Sequence, residues 1–236
     1  MRHDEQVTRL IDLNADLGES TERWAAGEDE ALLAIVTSAN VCTGAYAGDD
    51  ELILATCSAA VRLGVRVGAQ VGYPDRDGFG RRPMEFEPDD LAEEIRGQIR
   101  PVTALAGQTG ADIAYVKPHG ALYHRIIHDP VQAQAVRAAA GNLPLMGLAG
   151  TLPAGLPPDI AEGFADRAYS GPTLLVPRSE PGALITDPDA AGAQAVRLME
   201  AGVHSVCVHS DSPGALHLAR SVRAALEAAG AEVRHR

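Results

Sequence analysis

The sequence predicts an α/β fold, a single (β/α) barrel of about seven parallel strands, and three observations carry that reading. Short apolar strands alternate with helical stretches about seven times along the 236 residues. Such alternation demands parallel strands joined by helical crossovers. The repeat is about 30 residues long, the size of a βα unit. Polar residues cluster after nearly every strand: Asn14 and Asp16, Asn40 and Asp49, Gln70, Lys117 and His119, Asp166 and Arg167, His209 and Asp211. An open doubly wound sheet needs such ends only at its switch point. A ring of them favours a barrel with its site at the C-terminal face of the strands.

Strands are expected at residues 9–14, 38–42, 65–70, 112–117, 143–148, 160–165 and 205–209, each a short run of buried-strand length. Glu28 to Val36 reads as a short helix. Asp50 to Leu63 places Leu52, Ala55, Thr56, Ala59, Ala60 and Leu63 on one face, and Gly64 closes it. The long loop from Tyr73 to Arg82 has the length usually reserved for function. Pro88 to Gln108 is helical in pattern with a bend expected at Pro101. Asp129-Pro130 and Asp187-Pro188 each pair an N-cap with a proline at the first helical position. A last helix runs from Pro213 to Ala229. No linker or low-complexity segment interrupts the alternation, so residues 1–236 are read as one domain.

Twenty basic against 32 acidic residues give a formal charge of −12. That surface repels phosphate backbones and anionic lipid, so neither nucleic acid nor membrane is the expected partner. Cys42, Cys57 and Cys207 are scattered, odd in number and without a CxxC pair, which argues against a disulfide framework or a thiolate zinc site. The N-terminus, Met1 to Gln6, is polar and lacks an apolar signal core, and no apolar run is long enough to span a bilayer. The expected location is the cytoplasm.

The stretch Val116-Lys117-Pro118-His119-Gly120-Ala121-Leu122-Tyr123 is the centre of the chemistry. Proline cannot donate to a sheet ladder, so the strand should stop here and release Lys117 and His119 together at its end. Such a lysine either titrates near neutral pH or clamps an oxyanion, and the adjacent histidine can move protons near pH 7. Asp16, Glu19, Asp49, Asp166 and Asp211 supply carboxylates, although the first three also suit capping and loop hydrogen bonds. No GxxxxGK[ST] loop, GxGxxG after the first strand, GxSxG elbow or HExxH pair occurs. Gly78-Phe79-Gly80-Arg81-Arg82 is only a weak anion-loop signal.

Ordered along the chain, Ile11 to Glu19, Ser38-Ala39-Asn40, Ala47-Gly48-Asp49, Gly78 to Arg82, Val116 to Tyr123, Gly147 to Gly150, Phe164 to Arg167, Val176-Pro177-Arg178 and Cys207-Val208-His209 resemble the LamB/YcsF family. The resemblance extends from residue 11 to about 229. It implies a barrel of seven βα units. It also implies the activity of a 5-oxoprolinase, with this chain as its A-type component: ATP-dependent opening of the lactam 5-oxoproline to glutamate, with ATP entering through separate B- and C-type subunits.

The departures are specific. The family pattern has histidine where this chain has Tyr46 and Gln70, and glycine where it has Ser210; the chain is also shortened near 202–206 and 151–160. Losing two imidazoles removes proton shuttles and good metal ligands. No tightly bound transition metal is therefore expected, although Asp16 and Asp49 could hold a hard cation weakly. The expected catalytic residues are Asp16, Lys117 and His119. Asn14, Asn40, Tyr46, Gln70, Arg178 and His209 are the expected substrate contacts, for a small cyclic amide. Two other readings stay open: a divergent paralogue recruited to a biosynthetic step on a related small molecule, or a non-catalytic binding protein. Oligomeric state is also open, a homo-oligomer among the outcomes.

Overall fold

Strand β1 (Arg9–Leu17) shows how the barrel is built. Its side chains alternate, as a pleated strand requires. Ile11, Leu13, Ala15 and Leu17 enter the main apolar core. Asp12, Asn14 and Asp16 take the opposite face and bond to residues of neighbouring strands, so the barrel lumen is polar. The computed structural model describes residues 9–150, 157–171 and 174–235. The polar N-terminal stretch and much of the shortened 151–160 segment lie outside those residues.

The elements that follow are β2 (Ser38–Cys42), β3 (Arg66–Val71), β4 (Ile113–Pro118), β5 (Met146–Leu148), β6 (Ile160–Phe164), β7 (Tyr169–Gly171), β8 (Leu174–Leu175), β9 (Ser205–Cys207) and β10 (Ala231–Val233). The helices are α1 (Thr21–Ala25), α2 (Glu28–Leu33), α3 (Asp50–Leu63), α4 (Pro88–Thr109), α5 (Gly120–His128), α6 (Pro130–Ala140), α7 (Pro188–Glu200) and α8 (Ala215–Ala228). Parallel strands run in the order β4-β3-β2-β1-β9-β6-β5. The Val116 N–H donates to Pro144 O at 2.9 Å, and a parallel bridge joins Val116 to Leu145, which brings β4 and β5 together. The seven strands thus form the nearly closed, single α/β barrel that the alternation predicts, with helices around it. β10 pairs with the start of β1, Arg9 opposite Ala231.

Local chemistry sets most boundaries. Asp49, Asp129 and Asp187 each accept backbone N–H bonds as N-caps of α3, α6 and α7. Gly64 ends α3 with φ +68°, a left-handed conformation that favours glycine. α4 runs on through Pro101. β5 begins only at Met146, because Pro144 ahead of it has no N–H to offer a ladder. Four features were not expected from the sequence: the single-turn α1, helix α5 directly after the Lys117 strand, the antiparallel β7–β8 pair beside the barrel mouth, and strand β10.

The lumen is layered. Asp12 accepts from Ser38, Thr37 and Ser205. Above it, Asn14 donates to Ser205 Oγ at 2.7 Å and accepts from Asn40 Nδ2 at 2.7 Å. Tyr115 fills the space facing Gly68; a Cβ on that glycine would stand 2.2 Å from the ring. Its hydroxyl donates to Asn40 Oδ1 at 2.6 Å. Buried polar groups are tolerated only when satisfied in this way.

Candidate active site

The top layer of the lumen is the floor of a cleft at the C-terminal ends of the strands. Lys117, 2% exposed, is the last inward-facing residue of β4. Its Nζ lies 2.7 Å from Glu162 Oε1 and 3.0 Å from Asp16 Oδ1, and donates more weakly to Asn14 Oδ1 at 3.3 Å. Burial alone would lower the lysine pKa, but the Asp16 and Glu162 charges outweigh it and hold the ammonium protonated well above the ordinary range. Of the two behaviours the sequence allows this lysine, near-neutral titration is thus the one the geometry disfavours. Asp16 is the mirror case: burial opposes its charge, yet Lys117 holds the carboxyl well below the usual range.

Glu162 is the residue that sequence reasoning missed. Its Oε2 accepts from the Tyr123 hydroxyl at 2.9 Å. The signal was available: Glu162 and Phe164 occupy one face of an otherwise apolar strand, so an acid there had to point into the lumen.

His119 precedes α5 and takes the N-cap position without a side-chain cap bond. Its ring stacks on Tyr46, 4.0 Å between centroids, and meets Phe79 edge-on. Nε2 lies 3.0 Å from Phe79 O. A carbonyl can only accept, so Nε2 carries the proton and Nδ1 presents a lone pair. That lone pair faces Glu19 Oε1 at 3.7 Å. Burial, with Asp16 and Asp211 nearby, pushes the Glu19 carboxyl up to about 8. Burial pushes the His119 imidazole down to about 4. Ligand atoms of Asp16, Glu19 and His119 lie within 4.8 Å of one another, a spacing that could accommodate a cation. Asp49, the other carboxylate named for a weak cation, caps α3 through Leu52 N–H.

His209 lines the opposite wall, stacked on Phe164. Its Nδ1 lies 2.9 Å from Asp166 Oδ1, and the remaining ring nitrogen is left for the cleft. Asp166 also accepts the His209 backbone N–H and the Ser212 hydroxyl, which keep it ionised against its burial. Arg178 stands at the mouth, 3.5 Å from Asp211, which also binds Arg81 at 2.5 Å.

The fold therefore brings Asp16, Gln70, Lys117, His119, Arg178 and His209 around one cleft. Asn14 and Asn40 lie beneath it, fully buried, where both touch Asp16 or Lys117. Tyr46 lies behind His119 and donates to Gln70 Oε1 at 2.7 Å. In the loop Gly78 to Arg82, Asp75 takes the Gly78 and Arg82 N–H groups and the Arg82 side chain. The loop delivers Phe79 O to His119 and Arg81 to the mouth.

A parallel barrel with a buried ammonium–carboxylate centre at its C-terminal face is the arrangement of a βα-barrel enzyme. The LamB/YcsF family model matches residues 11–236, and the chain belongs to that family. A Streptomyces avermitilis protein named as the A subunit of 5-oxoprolinase is 47% identical, covering 95% of this chain and 98% of its own. One of the same name from Mycobacterium avium is 45% identical with the same coverage. The crystal structure of a lactam utilization protein from Thermus thermophilus superposes with a TM-score of 0.86 at 38% identity, covering 96% of this chain and all of that one. No helix among the described residues is long and apolar enough to cross a membrane.

Proposed function

We propose that this chain is the A-type component of a 5-oxoprolinase, opening 5-oxoproline or a related cyclic amide to the amino acid together with B- and C-type subunits. The observation that carries the reading is the Lys117 ammonium held between Asp16 and Glu162 at the floor of the cleft, next to His119. The names of the relatives support the same direction.

Amide resonance makes a lactam carbonyl a poor electrophile. Phosphorylation on its oxygen by ATP gives an imidate phosphate; water adds to its carbon, the ring C–N bond breaks to leave an acyl phosphate, and a second water releases phosphate and the free carboxylate. The chain has no nucleotide motif of its own, so the phosphorylation step belongs to the partners. Lys117, fixed as a cation, holds that oxygen and offsets the negative charge gathered on it and on its phosphoryl group. Asp16 and His119 exchange protons with the attacking water and the departing ring nitrogen. Arg178 takes the substrate carboxylate, and Gln70 and His209 contact the ring. Asn14, Asn40 and Tyr46 serve from behind, orienting Asp16, Lys117 and His119. In this reading residues 1–236 form one barrel domain working in the cytoplasm.

The test is glutamate release from 5-oxoproline. The chain alone should release none. With cognate B- and C-type partners and ATP, wild type should turn over, and Lys117→Ala should lose the activity. Losing a positioned acid or base costs about 10²–10⁴-fold. The rate should therefore be low, and Tyr46→His with Gln70→His should raise it. A robust wild-type rate unaffected by the double substitution would show those imidazoles to be dispensable. No release by any folded variant would favour the recruited-paralogue or binding-protein reading.

A further inference from the structure

Arg167 is an anomaly that the reaction above leaves unused. It follows β6, is only 3% exposed, and lines the cleft. Its Nη2 donates to Val176 O at 2.8 Å, but its Nε is buried without any partner. No carboxylate lies within ion-pair distance of it among the described residues. The adjacent Asp166 spends both oxygens on His209 and Ser212. Burial and the repulsion of Arg178 push its pKa down to about 10, so the guanidinium stays charged at neutral pH. A buried, unpaired cation is costly and persists where something else supplies the countercharge.

The surroundings repeat the same imbalance. Arg81, Arg167 and Arg178 share this part of the cleft, and a single carboxylate, Asp211, bridges Arg81 and Arg178. Two positive charges are left over. Helix α5, nine residues long, opens on the same space with Gly120 and has no side-chain cap. Its dipole adds to the attraction for an anion, although the Ala121 N–H is already given to Gly80 O at 2.9 Å. The substrate carboxylate on Arg178 would cancel only half the excess. A phosphoryl group carries about −1.5 to −2 charges at pH 7 and three acceptor oxygens suited to guanidinium forks.

We infer that Arg167, with Arg81 and the start of α5, forms a site for a phosphoryl dianion, either free phosphate or the phosphoryl group of a small molecule. An amide activated by phosphorylation would bring such a group into the cleft. That connection rests on the proposed function, whereas binding of phosphate requires neither partners nor turnover.

The experiment is calorimetric titration of the isolated chain, in low-salt buffer free of other oxyanions, with inorganic phosphate, methyl phosphate and acetate. Wild type should bind one equivalent of a phosphoryl ligand and prefer it to acetate by about tenfold or more. Arg167→Gln should lose about tenfold in affinity, and phosphate should raise the melting temperature of wild type but not of the variant. Without ligand the variant should melt at or above the wild-type temperature, because a buried unpaired charge has been removed. Tight binding of methyl phosphate would mark the ligand as a phosphorylated small molecule, and binding of inorganic phosphate alone would mark it as the free ion. The inference fails if wild type ignores both phosphates at millimolar concentration, if acetate binds equally well, or if folded Arg167→Gln binds phosphate unchanged. Should Arg167→Gln not fold, Arg81→Gln and the phosphate-dependent melting shift of wild type decide the same question.

Discussion

The Tyr46 hydroxyl donates to Gln70 Oε1 across 2.7 Å, inside the protein and directly behind His119. These are the two positions where the family resemblance implies histidine, and here they form one neutral pair. Burial holds the Tyr46 phenol well above its ordinary pKa, so the pair stays uncharged at any working pH. The two departures are thus coupled: either residue alone would leave a buried polar atom without its partner. Tyr46 also sets the plane on which the imidazole of His119 rests.

The coupling is measurable by urea denaturation. Tyr46→Phe should cost about 1–3 kcal/mol, because Gln70 Oε1 loses its donor without reaching water. Gln70→Met should leave the hydroxyl stranded in the same way. The double variant should be less destabilised than the sum, with an interaction energy of about 1 kcal/mol. Strict additivity would mean that the hydrogen bond contributes nothing beyond its two ends.

Lys117 and its two carboxylates make an asymmetric prediction. Lys117→Met strands Asp16 and Glu162 together in the lumen, and breaking a buried pair in this manner costs about 3–5 kcal/mol. Glu162→Gln leaves Asp16 in place as counter-ion and should cost clearly less. The deficit of Lys117→Met should narrow as the pH falls and the stranded carboxylates take up protons. Equal losses for the two variants, or a deficit independent of pH, would contradict the arrangement.

How much of this was legible in the sequence depended on how local the signal was. Strand ends marked by proline or glycine, and helices opened by Asp-Pro, were readable because their cause lies within a few residues. Lys117 and His119 could be placed together for the same reason. Asp49 was ambiguous, since an acid after a strand serves a cap as well as a site, and the cap prevailed. Glu162 was hidden within a strand, where only strict alternation reveals the direction of a side chain. The significance of Arg167 lies in a missing partner, which no linear pattern can display. Helix α5 was overlooked because the Pro118–Gly120 punctuation reads as a turn. The glycine there has φ +57° and its backbone starts the helix, with Gly80 O only 2.5 Å from where a Cβ would sit.

Gly68 offers a test of the lumen packing. An added methyl would collide with the Tyr115 ring at 2.2 Å, and the ring fills the barrel below Lys117. Overpacking of this kind costs about 1–3 kcal/mol, and displacing Tyr115 also breaks its bond to Asn40. Gly68→Ala should therefore lower stability by at least that amount, and Gly68→Ala with Tyr115→Phe should recover little, because the ring rather than the hydroxyl is struck. Gly68→Ala with Tyr115→Leu should recover more. A wild-type melting temperature for Gly68→Ala alone would refute the packing argument.

Glu19 and His119 predict the shape of the stability–pH curve. The Glu19 carboxyl moves from 4.5 up to about 8 on folding, and the His119 imidazole from 6.5 down to about 4. Between about 4.5 and 6.5 the folded protein keeps a Glu19 proton that the unfolded chain has lost. Over the same window the unfolded chain holds a His119 proton that the folded protein refuses, so the two slopes cancel. Between about 6.5 and 8, of these two only Glu19 differs, the folded state binds the extra proton, and its contribution to stability falls as the pH rises. One proton corresponds to about 1.4 kcal/mol per pH unit, or about 2 kcal/mol over that window. Below about 4 the depressed Asp16 carboxyl takes over, and stability falls with falling pH. Glu19→Gln should abolish the alkaline decline and, with His119 no longer offset, make stability rise from about 4.5 to 6.5. Urea midpoints across pH 4 to 8 for the two proteins would measure both effects. A wild-type curve flat above 6.5, or a decline that survives Glu19→Gln, would show that the proton between these two residues is not held as their geometry requires.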